Sequence, residues 1–172
     1  MSITSVEKDP GELTISWIAE FDAPIQDVWQ LWADPRWLER WLGPPTYPAT
    51  VKGFDLSPGG QVEYVLTGPD GVEFGGTWTI TTVQPHTSLE YVDGEVDSGA
   101  GMPVVNWSMR LGKVDGITRM ELRSRFRSPE DMNEMIEMGT EEGHAATIGQ
   151  MDALLVELAH GSQHESPNEG RA

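Results

Sequence analysis

Histidines, acids, cysteines and hydroxyls are where chemistry would begin, so their types and spacing come first. The histidines are His86, His144, His160 and His164. His86 falls in a QPHT turn, and His144 flanks a helical seam. His160 and His164 have a metal-like spacing, but Gly161 is expected to break the helix between them. All four are expected at the surface. There is no cysteine and no H-E-x-x-H pattern, so neither metal nor cofactor is expected. A G-x-S-x-G elbow is absent, and no Ser, His and acid are arranged for nucleophilic attack. The glycines of residues 68–76 serve turns and fit neither phosphate-binding fingerprint. Glu141 and Glu142 are neighbours on a helix and point different ways. No catalytic residue is assigned on these grounds.

The aromatic residues are more informative. The stretch PIQDVWQLWADPRWLERWLGP (24–44) holds Trp29, Trp32, Trp37 and Trp41, four of the seven tryptophans. Such rings are either core or the wall of a space. Val28, Trp29 and Trp32 are expected mainly in the core. Trp37 and Trp41, at the edge, are expected to border an opening.

The elements that must position these residues follow from periodicity. ELTISWIAEF (12–21) alternates as a strand. Pro24 suits the first turn of a helix ending near Ala33. Asp34 and Pro35 then cap and open a second short helix, to about Leu42. Strands follow at 50–56, 61–67, 73–83 and 88–93, with turns at Ser57–Gly60 and at GPDG (68–71). Residues 94–102 read as a loop. A last hairpin joins 103–111 to 117–126, where Met120, Leu122, Ser124 and Phe126 face inward and the alternating arginines outward. Residues 128–160 read as one long helix, capped by Ser128 and opened by Pro129. Its wheel places Met132, Met135, Ile136, Gly139, Gly143, Ala146, Thr147, Gln150 and Leu154 on one side. The expected class is α+β: a curved antiparallel sheet of about six to seven strands gripping a long C-terminal helix, with two short helices after the first strand. Residues 1–11 are an expected N-terminal tail, 12–160 one domain, and 161–172 a polar C-terminal tail.

Composition narrows the partners. The formal charge is −17, from 28 acids against 11 Lys and Arg, which repels phosphate backbones and anionic lipid heads. Nucleic acid and membrane partners are therefore not expected. The N-terminus has no signal-peptide pattern, no apolar run is long enough to span a bilayer, and cysteine is missing. A cytoplasmic monomer or homodimer is expected. Six of the eleven bases lie within residues 110–127, whereas 129–159 carry eight acids and no base. That segregation leaves room for a protein partner.

Several stretches carry a resemblance: FDAPIQDVWQLWADPRWLERWLGP (21–44), FDLSPGGQVEY (54–64), GPDG (68–71), GGTW (75–78), residues 117–127 and the terminal helix. Together, over residues 12–158, they resemble the START-like helix-grip (SRPBCC) superfamily. Within it they look like the family of the activator of heat-shock protein 90 ATPase, in its C-terminal-domain form. The resemblance implies a hydrophobic cavity between sheet and helix, but no single activity. Members of the superfamily include lipid carriers, aromatases and cyclases, hormone receptors and chaperone stimulators.

Residues on the helix and sheet fit that implication. Gly139 and Gly143 are four apart, with Ala146 continuing the small stripe, and a glycine inside a helix costs about 1 kcal/mol relative to alanine. Bulk is excluded there by tight packing or by open space. The expected lining is Tyr64, Phe74, Trp78, Trp107, Met109 and Leu122 from the sheet, with Trp37, Trp41 and Leu42 at one end. The helix adds Met135, Gly139, Glu142, Gly143 and Ala146. Glu142, Thr147, Gln150, Asn106 and Ser124 are candidate polar anchors. The function favoured is binding of a small hydrophobic or aromatic ligand. The alternatives are a protein-interaction module and a cofactor-free cyclase-like enzyme with Glu142 as its acid or base.

Overall fold

The structure is a computed structural model and describes residues 3–94 and 103–169, with side chains to residue 161. The loop expected at 94–102 falls, beyond Gly94, outside the described residues. Eight strands, β1 (Ile3–Asp9), β2 (Thr14–Phe21), β3 (Ala49–Phe54), β4 (Gln61–Thr67), β5 (Glu73–Gln84), β6 (Ser88–Asp93), β7 (Val105–Val114) and β8 (Ile117–Arg125), form one antiparallel sheet. Their order is β1-β2-β8-β7-β6-β5-β4-β3. Bulges between Val51 and Gly53 and between Ile80 and Thr82 curve the sheet. It stays unclosed, with β1 and β3 at its edges.

The strand count exceeds the expected six to seven because residues 3–9, expected as tail, form edge strand β1. That segment, ITSVEKD, is mostly exposed, so it lacks the apolar face that marks a strand in sequence. Strand β7 also runs further than expected, to Val114, so that a two-residue turn at Asp115 and Gly116, both with positive φ, joins it to β8.

Helices α1 (Ile25–Ala33) and α2 (Pro35–Trp41) fill the gap between β2 and β3. Asp34 caps α2 as its type and place require, accepting a hydrogen bond from the Arg36 amide at 2.9 Å. Ser128 likewise accepts from the Asp131 amide at 3.1 Å.

The expected single helix over 128–160 is instead three segments, α3 (Pro129–Glu137), α4 (Thr140–Gly149) and α5 (Met151–Glu169), the last of which runs through Gly161, where a break was expected, and into the expected tail. Gly139 causes the first break. It adopts φ +89°, a left-handed conformation that closes α3 and starts α4. Its glycine is therefore demanded by backbone geometry. Gly139→Ala is expected to lower stability by about 1–2 kcal/mol, measured as a shift in urea midpoint at unchanged slope.

The core lies between the concave sheet face and the helices. Trp17, Phe21, Leu31, Trp32, Met109 and Met120 are among its most enclosed members. Three ties fix the helices. The Trp17 indole donates to the Glu141 carbonyl at 3.1 Å. Gln150 Nε2 donates to the carbonyls of Trp41 and Gly43. Arg40 forms a two-pronged pair with Glu157 at 2.7 and 2.9 Å.

Candidate functional site

Between α4 and the sheet lies a pocket of about 340 Å³. Its floor is built by alternation. Inward-facing positions of adjacent strands place Trp78 on β5, Tyr91 on β6, Trp107 on β7 and Leu122 on β8 along one surface. The rings form a ladder. Trp78 stacks on Tyr91 at 4.1 Å, and Tyr91 stacks on Trp107 at 6.3 Å. Trp107 continues to Trp17 at 5.7 Å. Trp32 and Trp41 meet edge to face at 4.6 Å and close one end, beside Leu42.

The tryptophan-rich stretch thus serves both purposes. Trp29 is core, whereas Trp32 and Trp41 are buried and also reach the pocket wall. The Trp41 indole is spent on the Leu31 carbonyl at 2.8 Å. The Trp32 indole N–H, in a residue only 1% exposed, has no partner among the described residues.

Tyr64 reaches the site through a glycine. It lies opposite Gly76 on the next strand, where any Cβ would overlap its phenol ring. The ring crosses that bare backbone, and its hydroxyl meets the Asp93 carboxylate two strands away, at 3.3 and 3.4 Å. Asp93 ends β6 in the pocket wall. Burial pushes its carboxyl up to about 6, and hydrogen bonds from Tyr64 and Trp78 only partly offset this. Burial together with the Asp93 charge pushes the Tyr64 and Tyr91 phenols up, so both stay protonated.

The lid side comes from α3 and α4. Met135, Gly139, Gly143, His144 and Thr147 line it. A Cβ added at Gly143 would meet no atom within 4 Å. Open space, not tight packing, is what this glycine faces. His144 corrects the surface expectation: it is half-buried, 5.0 Å from Trp17 and 4.7 Å from Trp107. Burial lowers its basicity, which keeps the ring neutral. Nδ1 lies 2.9 Å from the Thr140 carbonyl, which can only accept, so Nδ1 carries the hydrogen and Nε2 is the acceptor. A second hollow of about 540 Å³ adjoins the first and shares Tyr64, Asp93, Trp107, Met135 and His144 with it.

Of the residues expected to line a cavity, the structure brings together Trp41, Leu42, Tyr64, Trp78, Trp107, Leu122, Met135, Gly139 and Gly143. It places five elsewhere. Trp37 is half-buried outside, under the Arg40 guanidinium at 5.3 Å. Phe74 is 54% exposed near the β4–β5 turn, 6.1 Å from Tyr47. Met109 is fully enclosed in the core and touches no space. Glu142 and Ala146 are exposed on the outer side of α4, which starts afresh at left-handed Gly139 instead of continuing α3. The inner face of α4 runs instead through Thr140, Gly143, His144 and Thr147. Of the other suggested anchors, Ser124 is spent on the Ile15 carbonyl, Gln150 on α2, and Asn106 is exposed. Asp93 was missed, although a signal existed: in SLEYVD it shares the parity of buried Leu89 and Tyr91. Among the described residues, no three His, Cys, Asp or Glu are grouped to hold a metal, and no helix is long and apolar enough to cross a membrane.

A curved sheet wrapped on C-terminal helices, with a hollow between, defines a helix-grip protein of the SRPBCC type. The model of one family within that class, described as Activator of Hsp90 ATPase homolog 1-like protein, matches residues 22–156, and the chain belongs to that family. It is similar to the crystal structure of protein Ms6760 from Mycobacterium smegmatis, at 41% identity and a TM-score of 0.82, covering 91% of this chain and 99% of that one. A solution structure from Arthrobacter aurescens is 42% identical with a TM-score of 0.85, covering 91% and 93%. A protein from the dynemicin biosynthetic locus, at 15% identity and a TM-score of 0.59, covers 83% of this chain and 47% of that one and shares the fold alone. A search of curated proteins finds no match.

Proposed function

We propose that this chain binds a small molecule with an apolar or aromatic body in the pocket between α4 and the sheet. The observation that carries this reading is the pocket itself. It holds about 340 Å³ of space where Gly143 faces no atom, walled by six aromatic rings: Trp32, Trp41, Tyr64, Trp78, Tyr91 and Trp107. A protein using those rings for stability alone would fill the space, since interiors pack to crystal-like density. Apolar walls with a few polar groups are what a small-ligand site requires.

N-phenyl-1-naphthylamine, neutral and apolar at pH 7, tests the reading. Its emission is expected to rise to saturation at one probe per chain, with matching quenching of the tryptophans. An unchanged probe signal at protein concentrations up to the millimolar range removes the binding function.

A second reading has one observation behind it. A carboxyl near 6 inside an apolar pocket is suited to proton transfer near neutrality. In a cofactor-free enzyme of this fold, Asp93 would be the acid or base in place of the exposed Glu142. Docking on an Hsp90-type ATPase draws on the family description alone. Part of the basic cluster that could serve it is engaged within the sheet, Arg123 with Glu121 at 2.8 Å and Arg125 with Glu12 at 3.7 Å.

A further inference from the structure

Asp93 is a half-buried carboxylate in the pocket wall with no cation paired to it among the described residues. The groups that hydrogen-bond it are the neutral Tyr64 hydroxyl, at long range, and the Trp78 indole. No Lys or Arg lines the pocket, and none forms an ion pair with Asp93 among the described residues. The stretch 95–102 that follows in the sequence contains no Lys, Arg or His. Burying a carboxylate unpaired is costly, and sites normally pair it.

The other polar groups of the wall do not supply a positive charge. His144 is neutral and presents Nε2 as an acceptor. Tyr64 and Tyr91 stay protonated. The orphan N–H of Trp32 is a donor without charge. In the adjoining hollow, exposed Lys52 and exposed Glu63 oppose each other in sign. The field in the pocket therefore comes from one carboxylate, within a chain of net charge −17. Such a field concentrates cations and repels anions.

We infer that the pocket selects an organic cation, an amine or ammonium carried on an aromatic or apolar body, with the charged nitrogen received by Asp93 and the body held by the ring ladder. This rests on the ligand-binding reading and names the ligand class for the same site. A fatty acid or other organic anion would bury a second negative charge beside Asp93. A neutral ligand would leave the carboxylate unpaired or protonated. An ammonium removes that penalty by a charge-assisted hydrogen bond.

Three ligands with one ring system separate these cases by calorimetric titration: 2-(aminomethyl)naphthalene, 2-naphthalenemethanol and 2-naphthoic acid. At pH 7.5 the amine is expected to bind at least tenfold tighter than the alcohol, with the acid weakest. The preference for the amine should shrink as pH falls from 7.5 to 5, because Asp93 takes up a proton over that range. In Asp93→Asn the amine should lose its advantage while the alcohol keeps its affinity. Asp93→Ala, which cannot refill the site with an amide, should show the same loss. Equal binding of the three ligands overturns the inference, as does tighter binding of the alcohol or the acid. A protein that binds N-phenyl-1-naphthylamine but not the amine also overturns it and leaves the ligand-binding reading intact. Failure of the probe and all three ligands together removes that reading as well.

Discussion

Leucine at position 143 is expected to close the pocket and leave the fold intact. Gly143 lies within α4, its φ is not positive, and a Cβ there would meet no atom within 4 Å. Adding a β-carbon therefore forces no backbone movement, and a longer side chain extends from there towards the open pocket. The substitution removes a glycine from a helix interior, where glycine costs about 1 kcal/mol relative to alanine. Gly143→Ala should raise stability by up to about that amount. Gly143→Leu should match or exceed it while occupying space the probe needs. Affinity for N-phenyl-1-naphthylamine is expected to fall at least tenfold, about 1.4 kcal/mol, and further in Gly143→Trp. Calorimetric melting and probe titration on the same samples read both quantities. If Gly143→Leu melts no lower than the natural protein and binds the probe as well, the probe sits elsewhere. The contrast with Gly139 makes the point local: two glycines four residues apart, one held by its φ and one by open space, respond to alanine with opposite signs.

Replacing Asp93 by asparagine is expected to make the protein more stable near neutral pH. The carboxyl titrates near 3.8 when unfolded and about 6 when folded. The folded chain therefore holds more protons between those values, and stability falls as pH rises through that window. The contribution of the protonated carboxyl is complete below about 3.8 and lost as pH passes about 6. Moving a carboxyl over that interval corresponds to at most about 3 kcal/mol. Asparagine has similar shape, keeps an acceptor for Tyr64 and carries no charge to desolvate. Asp93→Asn should therefore exceed the natural protein by about 2–3 kcal/mol at pH 7.5, with the gap closing towards pH 4. Urea titrations at the two pH values measure it. A variant equal to or weaker than the natural protein at pH 7.5 would show that Asp93 is compensated in a way the structure does not contain. A residue that weakens the fold when charged fits a site kept for a ligand rather than for stability.

Much of the architecture is written in local patterns. The limits of β4 and β6, the Asp34–Pro35 junction between two short helices, and the Ser128–Pro129 start of α3 follow from alternation and capping chemistry, which act within a few residues. Strand β1 was illegible because an edge strand exposed on nearly every residue has no apolar face to display. The aromatic wall was partly legible, since Trp78 and Trp107 show their inward facing by parity. Asp93 shows the same parity. Yet an acid at a strand end is ordinarily wet, and its contact with Tyr64, which crosses Gly76 from two strands away, is not visible in sequence.

Sequence by itself determined the class of fold, because period-two and period-3.6 patterns and their caps are short-range properties. The wheel already placed Gly143 and Thr147 inward, and tertiary structure decided the rest of the α4 face: past left-handed Gly139, where α4 starts afresh, Thr140 and His144 reach the pocket while Glu142 and Ala146 lie outward. Tertiary structure also decided that Gly143 faces space and that Asp93 has no cation beside it among the described residues, since both depend on chain segments far apart in sequence meeting, or failing to meet, at one place.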